Sequence, residues 1–290
     1  MRQVSSFYLS FRDAGSVDLA VARSRFDIAS GMLAVALSVH VESGQYAGLN
    51  VDWLHPANAR PGKVLLYWHG GAYIMGSCRS HRALVSHIAK AAGMDALLPE
   101  YRLAPEHPYP AAVDDALRVY RALLEDGYRP DDIVVAGDSA GGGLATAMLM
   151  ALRDAGDPLP AAAALLSPWL DLTGQGESMR SRAQQDPWFR PDDLPEVTRF
   201  YCAESQFTDP LVSPVFGDPA GLPPMLIQVG DDEILLSDSE RIASNIRKSG
   251  GEVELDVWPG MWHVWQMFIG LMPESRIAIE QLGQFLRCRS

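Results

Sequence analysis

A serine among small residues, Gly137-Asp138-Ser139-Ala140-Gly141, gives this sequence its clearest means of doing chemistry. The pattern is G-x-S-x-G. An apolar run, Ile133-Val134-Val135-Ala136, leads into it, and a stretch of small residues from Gly142 to Ala151 leads out. Read as strand, sharp turn and helix, this context exposes the Ser139 hydroxyl at a strand end, in a strained backbone conformation that only small neighbours permit. The following helix N-terminus would face negative charge developing there. The chemistry implied is nucleophilic attack by Ser139. A phosphate-binding loop is the rival reading. Gly137, Gly141, Gly142 and Gly143 do not make G-x-G-x-x-G, however, and no lysine follows as a Walker loop requires.

Attack on a carbonyl creates an oxyanion that needs preorganised N–H donors. Upstream, the run Lys63–Trp68 ends in His69-Gly70-Gly71-Ala72-Tyr73. Glycines let backbone amides face a ligand with no Cβ in the way. Gly70, Gly71 and Ala140 are therefore the expected oxyanion donors, and His69 is expected to brace the loop. A general base is also required. Of the seven histidines, only His263 lies C-terminal to Ser139. It sits in Trp258-Pro259-Gly260-Met261-Trp262-His263-Val264-Trp265, directly after the last expected strand, where a loop would open onto the carboxyl ends of the strands. For the carboxylate that orients the base, Asp231, Asp232 and Glu233 compete; the residues alone do not choose between them.

Three ordered motifs, HGGAY, Tyr101-Arg102-Leu103-Ala104-Pro105-Glu106 and GDSAGG, resemble those of the hormone-sensitive-lipase-like (bacterial family IV) esterases of the α/β-hydrolase superfamily, over roughly residues 45–290. The resemblance implies an eight-stranded sheet, a Ser–acid–His chain order, a triad without metal or other cofactor, and a helical cap. Matching Pro224 and Asp238 to the family pattern selects Glu233 as the acid, where the family usually has Asp; Asp231 and Asp232 are then free to cap the next helix. A carboxylic-ester hydrolase for short to medium acyl esters is implied, with lactones or acetylated small molecules as variants on the same chemistry. A non-catalytic small-molecule receptor is the alternative on this fold, and the complete set of Ser139, His263 and a carboxylate argues against it.

The elements that must position these groups alternate along the chain. Strands are expected at Gly48–Leu54, Lys63–Trp68, Asp95–Pro99, Ile133–Ala136, Ala161–Leu166, Met225–Val229 and Glu252–Val257. Helices are expected at Ser80–Ala92, Ala111–Asp126, Gly142–Ala155, Leu236–Ser249 and Glu274–Arg287. Near-continuous apolar strands alternating with helices predict an α/β fold with a mostly parallel sheet covered on both faces. Residues 1–45 read as a helical cap segment, including the apolar run from Gly31 to Val41. Residues 46–290 read as the catalytic domain, with a cap insertion over about 174–215. Tyr73, Trp188, Phe189 and Trp262 are the expected walls of an apolar substrate pocket. Arg102 and Glu106 are read as a structural ion pair.

Composition narrows the rest. The 290 residues carry a net charge of −12, which disfavours nucleic acid and anionic membranes as partners. The run from Gly31 to Val41 is too short to span a bilayer, which takes about 20 residues. Three cysteines with no CxxC pair imply reduced thiols and a cytoplasmic setting. The last strand should lie at a sheet edge, which invites a homodimer.

Overall fold

The computed structural model describes residues 18–290. Its centre is one eight-stranded sheet in the order β1-β2-β4-β3-β5-β6-β7-β8. The strands are β1 (Val39–Tyr46), β2 (Leu49–Pro56), β3 (Val64–Trp68), β4 (Asp95–Pro99), β5 (Ile133–Asp138), β6 (Ala162–Leu166), β7 (Met225–Gly230) and β8 (Val253–Trp258). The β1–β2 and β2–β4 pairs are antiparallel, and all the others are parallel. Every residue of β3, β5, β6 and β7 is buried. Such strands cannot show a polar–apolar alternation, because both faces are covered.

Helices α1 (Leu19–Ser30), α2 (Cys78–Ala92), α3 (Ala111–Glu125), α4 (Ala140–Ala155), α5 (Ser178–Ser181), α6 (Leu194–Tyr201), α7 (Leu236–Lys248) and α8 (Pro273–Arg289) complete the described chain. Alternate β3 side chains point to opposite cores. Leu66 and Trp68 pack with Val119 of α3, Leu144 of α4 and Ile242 of α7. Leu65 and Tyr67 pack with Ile88 of α2 and Leu282 of α8. The parallel strands carry the functional loops at their carboxyl ends, after β3, β5, β7 and β8, where open α/β sheets bind ligands.

The interior elements fall within a few residues of their expected positions. The N-terminal reading needs correction. Residues 31–41 do not form a helix, and β1 occupies 39–46, so the expected boundary at residue 45 cuts through a strand. Met32 and Leu37 are exposed, while Leu33, Val39 and Val41 pack on the sheet. This run was apolar without a helical period. A second correction concerns Arg102 and Glu106. Each is ion-paired, but not to the other: Arg102 binds Asp115 and Glu106 binds Arg23 of α1. Among the described residues, no helix is long and apolar enough to cross a membrane.

Candidate active site

Ser139 stands between β5 and α4 with φ 53° and ψ −123°, a conformation rarely adopted by L-residues. The turn is held by its backbone. The Ser139 amide donates to the Leu166 carbonyl at 2.9 Å, and the Ser139 carbonyl accepts from Trp169 at 2.9 Å and Gly143 at 3.1 Å. The small residues around it are required by space. A Cβ on Gly141 would collide with the Trp68 carbonyl, so any larger residue would push β3 and α4 apart.

The loop after β3 is tied to this turn by Asp138. One carboxylate oxygen accepts from the Tyr67 hydroxyl at 2.8 Å and from the Gly70 amide at 3.0 Å. The other faces His81 Nε2 at 3.3 Å. Burial pushes the Asp138 pKa up, but His81 and the Tyr67 hydroxyl outweigh burial and hold it below the usual value. His69 braces the loop as expected, its Nδ1 donating to the Gly70 carbonyl at 2.8 Å. Burial, aided by the neighbouring His81, pushes the His69 pKa down to about 3. Beyond Gly70, φ is positive at three successive residues: Gly71 (117°), Ala72 (55°) and Tyr73 (62°). The Ile74 and Met75 amides both close onto the Gly71 carbonyl.

This geometry corrects the expected oxyanion set. The Gly70 amide is engaged by Asp138, and Gly70 is absent from the cavity wall. Gly71 and Ala72 line the cavity instead. Their amides, and that of Ala140 at the first position of α4, have no acceptor among the described residues. The signal was present in the sequence. The residue preceding Ser139 is an acid, and a buried acid there must find donors.

His263 and Glu233, 30 residues apart in sequence, meet in the fold. His263 Nδ1 lies 3.0 Å from Glu233 Oε2, and both side chains are buried. The other Glu233 oxygen accepts from the Gly230 amide at 2.6 Å and the Ser167 hydroxyl at 2.7 Å. Ser167 Oγ also accepts from the Val264 amide at 3.1 Å, so one hydroxyl joins Glu233 to the loop carrying His263. Ser167 and Val264 are both left-handed, at φ 46° and 47°. Asp231 does not cap α7, which has no side-chain cap; its carboxylate accepts from the Gly260 amide of the base loop at 2.6 Å. Sequence reasoning missed Ser167, which lies 66 residues before the acid it binds.

Ser139 and His263 open on one cavity of about 60 Å³ with mainly hydrocarbon walls. Trp188 and Phe189 line it as expected, and the Phe189 ring meets the His263 ring edge-on at 4.7 Å. Phe26 of α1, Leu194 and Val197 of α6 and Met267 complete much of the wall. Tyr73 and Trp262 do not line it. Tyr73 is buried behind the loop, stacked on Tyr201 with ring centroids 3.9 Å apart, and Trp262 packs on Phe268. An aromatic beside a functional loop can turn to either side of it, and both of these turned into the core.

A family model described as alpha/beta hydrolase fold matches residues 65–267. The chain belongs to that family. Among curated relatives of this hydrolase, the acetyl-hydrolase of Streptomyces hygroscopicus is 48% identical over 236 residues, covering 81% of this chain and 79% of that one. The esterase of Acinetobacter venetianus is 39% identical, covering 79% and 76%. The crystal structure of an esterase from the bacterial hormone-sensitive lipase family superposes with a TM-score of 0.95 at 39% identity, over 99% of this chain and 96% of that one. The hydrolase is thus an esterase of the hormone-sensitive-lipase-like branch.

Proposed function

We propose that this hydrolase cleaves carboxylic esters with short acyl groups through an acyl-enzyme on Ser139. The observation that carries the reading is that Ser139 and His263 share one small apolar cavity, with Glu233 behind His263. Ser139 attacks the ester carbonyl as His263 takes its proton. The tetrahedral oxyanion is held by the Gly71, Ala72 and Ala140 amides, and the helix N-terminus of α4 adds to the field. His263 returns the proton to the leaving alkoxide. A water that His263 deprotonates then cleaves the acyl-enzyme. Glu233 fixes the ring orientation and stabilises the imidazolium of each step.

The cavity volume favours short chains, and the name of the acetyl-hydrolase relative supports acetyl esters first. The wall is mainly apolar, with Phe26, Leu194 and Val197 on it, which supports an uncharged acyl group. Turnover of p-nitrophenyl esters from acetate to dodecanoate should be fastest at acetate or butyrate. Ser139→Ala should abolish it, by a factor on the order of 10⁶, and a fluorophosphonate should label wild type at Ser139 only. Labelling elsewhere, or an active Ala variant, would reject the mechanism. Self-association is a separate proposal supported by β8, which forms one edge of the sheet; a monomer mass by light scattering would reject it.

A further inference from the structure

The insertion between β6 and β7 does more than roof the cavity. It grips the peptide that follows the triad acid. Ile234, next to Glu233, is bound at both ends by insertion residues: its amide donates to Asp186 Oδ2 at 2.9 Å, and its carbonyl accepts from the Ser178 hydroxyl at 2.6 Å. The other Asp186 oxygen accepts from the Trp188 amide at 2.8 Å and the Phe189 amide at 3.0 Å. Asp186 is buried. One carboxylate therefore joins three things: the acid loop, the turn carrying Trp188 and Phe189, and, through the Phe189 ring, the ring of His263.

We propose that Asp186 is a positioning residue for hydrolysis, setting together the Trp188–Phe189 wall against His263 and the backbone register of Glu233. The proposal rests on the functional reading above. Its logic is that of donors and acceptors. Three backbone N–H groups converge on one side chain, and only a group that accepts at both oxygens satisfies them. An amide of the same shape must turn its NH₂ toward at least one N–H. Either Ile234 or the Trp188–Phe189 turn then moves away. Burial pushes the Asp186 pKa up to about 6 against the pull of these amides and of His263, so the fold holds this carboxylate at a cost that a surface turn would not carry. Structures retain such a group where its geometry matters.

The test compares wild type with Asp186→Asn and Asp186→Glu, with active sites counted by fluorophosphonate titration. For p-nitrophenyl acetate, Asp186→Asn should lose about a hundred-fold in kcat per titrated site, as a displacement of about 1 Å at a catalytic group does. The downfield proton resonance of the His263–Glu233 hydrogen bond should shift or broaden. A purely structural role would lower the melting temperature and leave both readouts at their wild-type values. That result overturns the proposal. Should Asp186→Asn not fold, Asp186→Glu decides the matter. It keeps both acceptors but is longer by one methylene, and should lose about tenfold in kcat with a shifted resonance; unchanged kcat and resonance would overturn the proposal. Failure of the functional reading looks different, since wild type itself would then show neither turnover nor Ser139 labelling.

Discussion

The two halves of the site are built differently. The half around the proposed nucleophile, after β3 and β5, is fixed by backbone. Its amides are aimed by a tight turn and a left-handed loop, and a single carboxylate, Asp138, locks the two together. The half around the proposed base, after β7 and β8, is fixed by side chains. Glu233 reaches His263, Ser167 reaches both loops, and Asp231 holds Gly260. Backbone placement demands small residues at set intervals and leaves a motif in the sequence. Side-chain placement draws partners from distant elements and leaves none.

The contrast can be broken hardest at Glu233. On the proposed mechanism, Glu233→Gln keeps the shape but removes the charge that would hold the imidazolium, and kcat should fall by about 10⁴. Asp231→Asn should stay near wild type, because its bond to Gly260 is exposed. Comparable losses in the two variants would show that the acid has been misassigned. In the nucleophile half, Asp138→Asn turns an NH₂ toward either the Gly70 amide and Tyr67 hydroxyl or His81. The loop after β3 should shift, and if its amides hold the oxyanion as proposed, kcat should fall about 10²–10³ while KM and circular dichroism change little. An unchanged kcat would mean that the loop does not need this lock.

A smaller effect is expected at Ser167. Ser167→Ala removes one donor to a buried carboxylate, and a bond of this kind is worth about 1.5–3 kcal/mol. kcat should fall by about ten-fold to a hundred-fold, with KM for p-nitrophenyl acetate held. A loss in KM instead would place Ser167 in substrate binding. The smallest effect concerns acid. His69 in the nucleophile half is held neutral in the fold with its pKa near 3, whereas an unfolded histidine takes its proton near about 6.5. Between those values the unfolded chain binds the extra proton, so stability falls as pH drops, by at most about 1.4 kcal/mol per unit. Asp186 and Asp238, raised by burial to about 6 and about 7, act in the opposite sense. They bind protons in the fold that the unfolded chain releases above about 3.8, and so gain stability as pH falls. His69→Gln should therefore soften the acid-induced drop in the urea midpoint from pH 6.5 to 4. Parallel curves for the two proteins would contradict the assignment.

The same division explains what could be read from the sequence. The strand–GDSAG–helix run was legible because Gly141 has no room for a side chain beside Trp68. The buried parallel strands were legible as unbroken apolar runs. The first strand was not. VHVESGQY is largely solvent-facing, and the apolar run before it suggested a helix where there is none. In the base half, Asp231, Asp232 and Glu233 are equivalent by type, and family likeness was needed to choose among them. Ser167 and Asp186 have no local pattern at all. Their links to the Glu233 and His263 loops run to partners 48 to 97 residues away, which only the folded chain brings together.

The cavity wall has a consequence for substrate range. Phe26, Leu194 and Val197 line it with hydrocarbon alone, and such side chains form no hydrogen bond or ion pair with the groups that brace the chemistry. They come from α1 and α6, two segments that lie outside the nucleophile turn. Selectivity for the acyl group can therefore drift by substitution at these three positions while the proton-transfer apparatus stays as it is. A library confined to them is the shortest route to new esters, and the glycines behind Ser139 are the positions to leave alone.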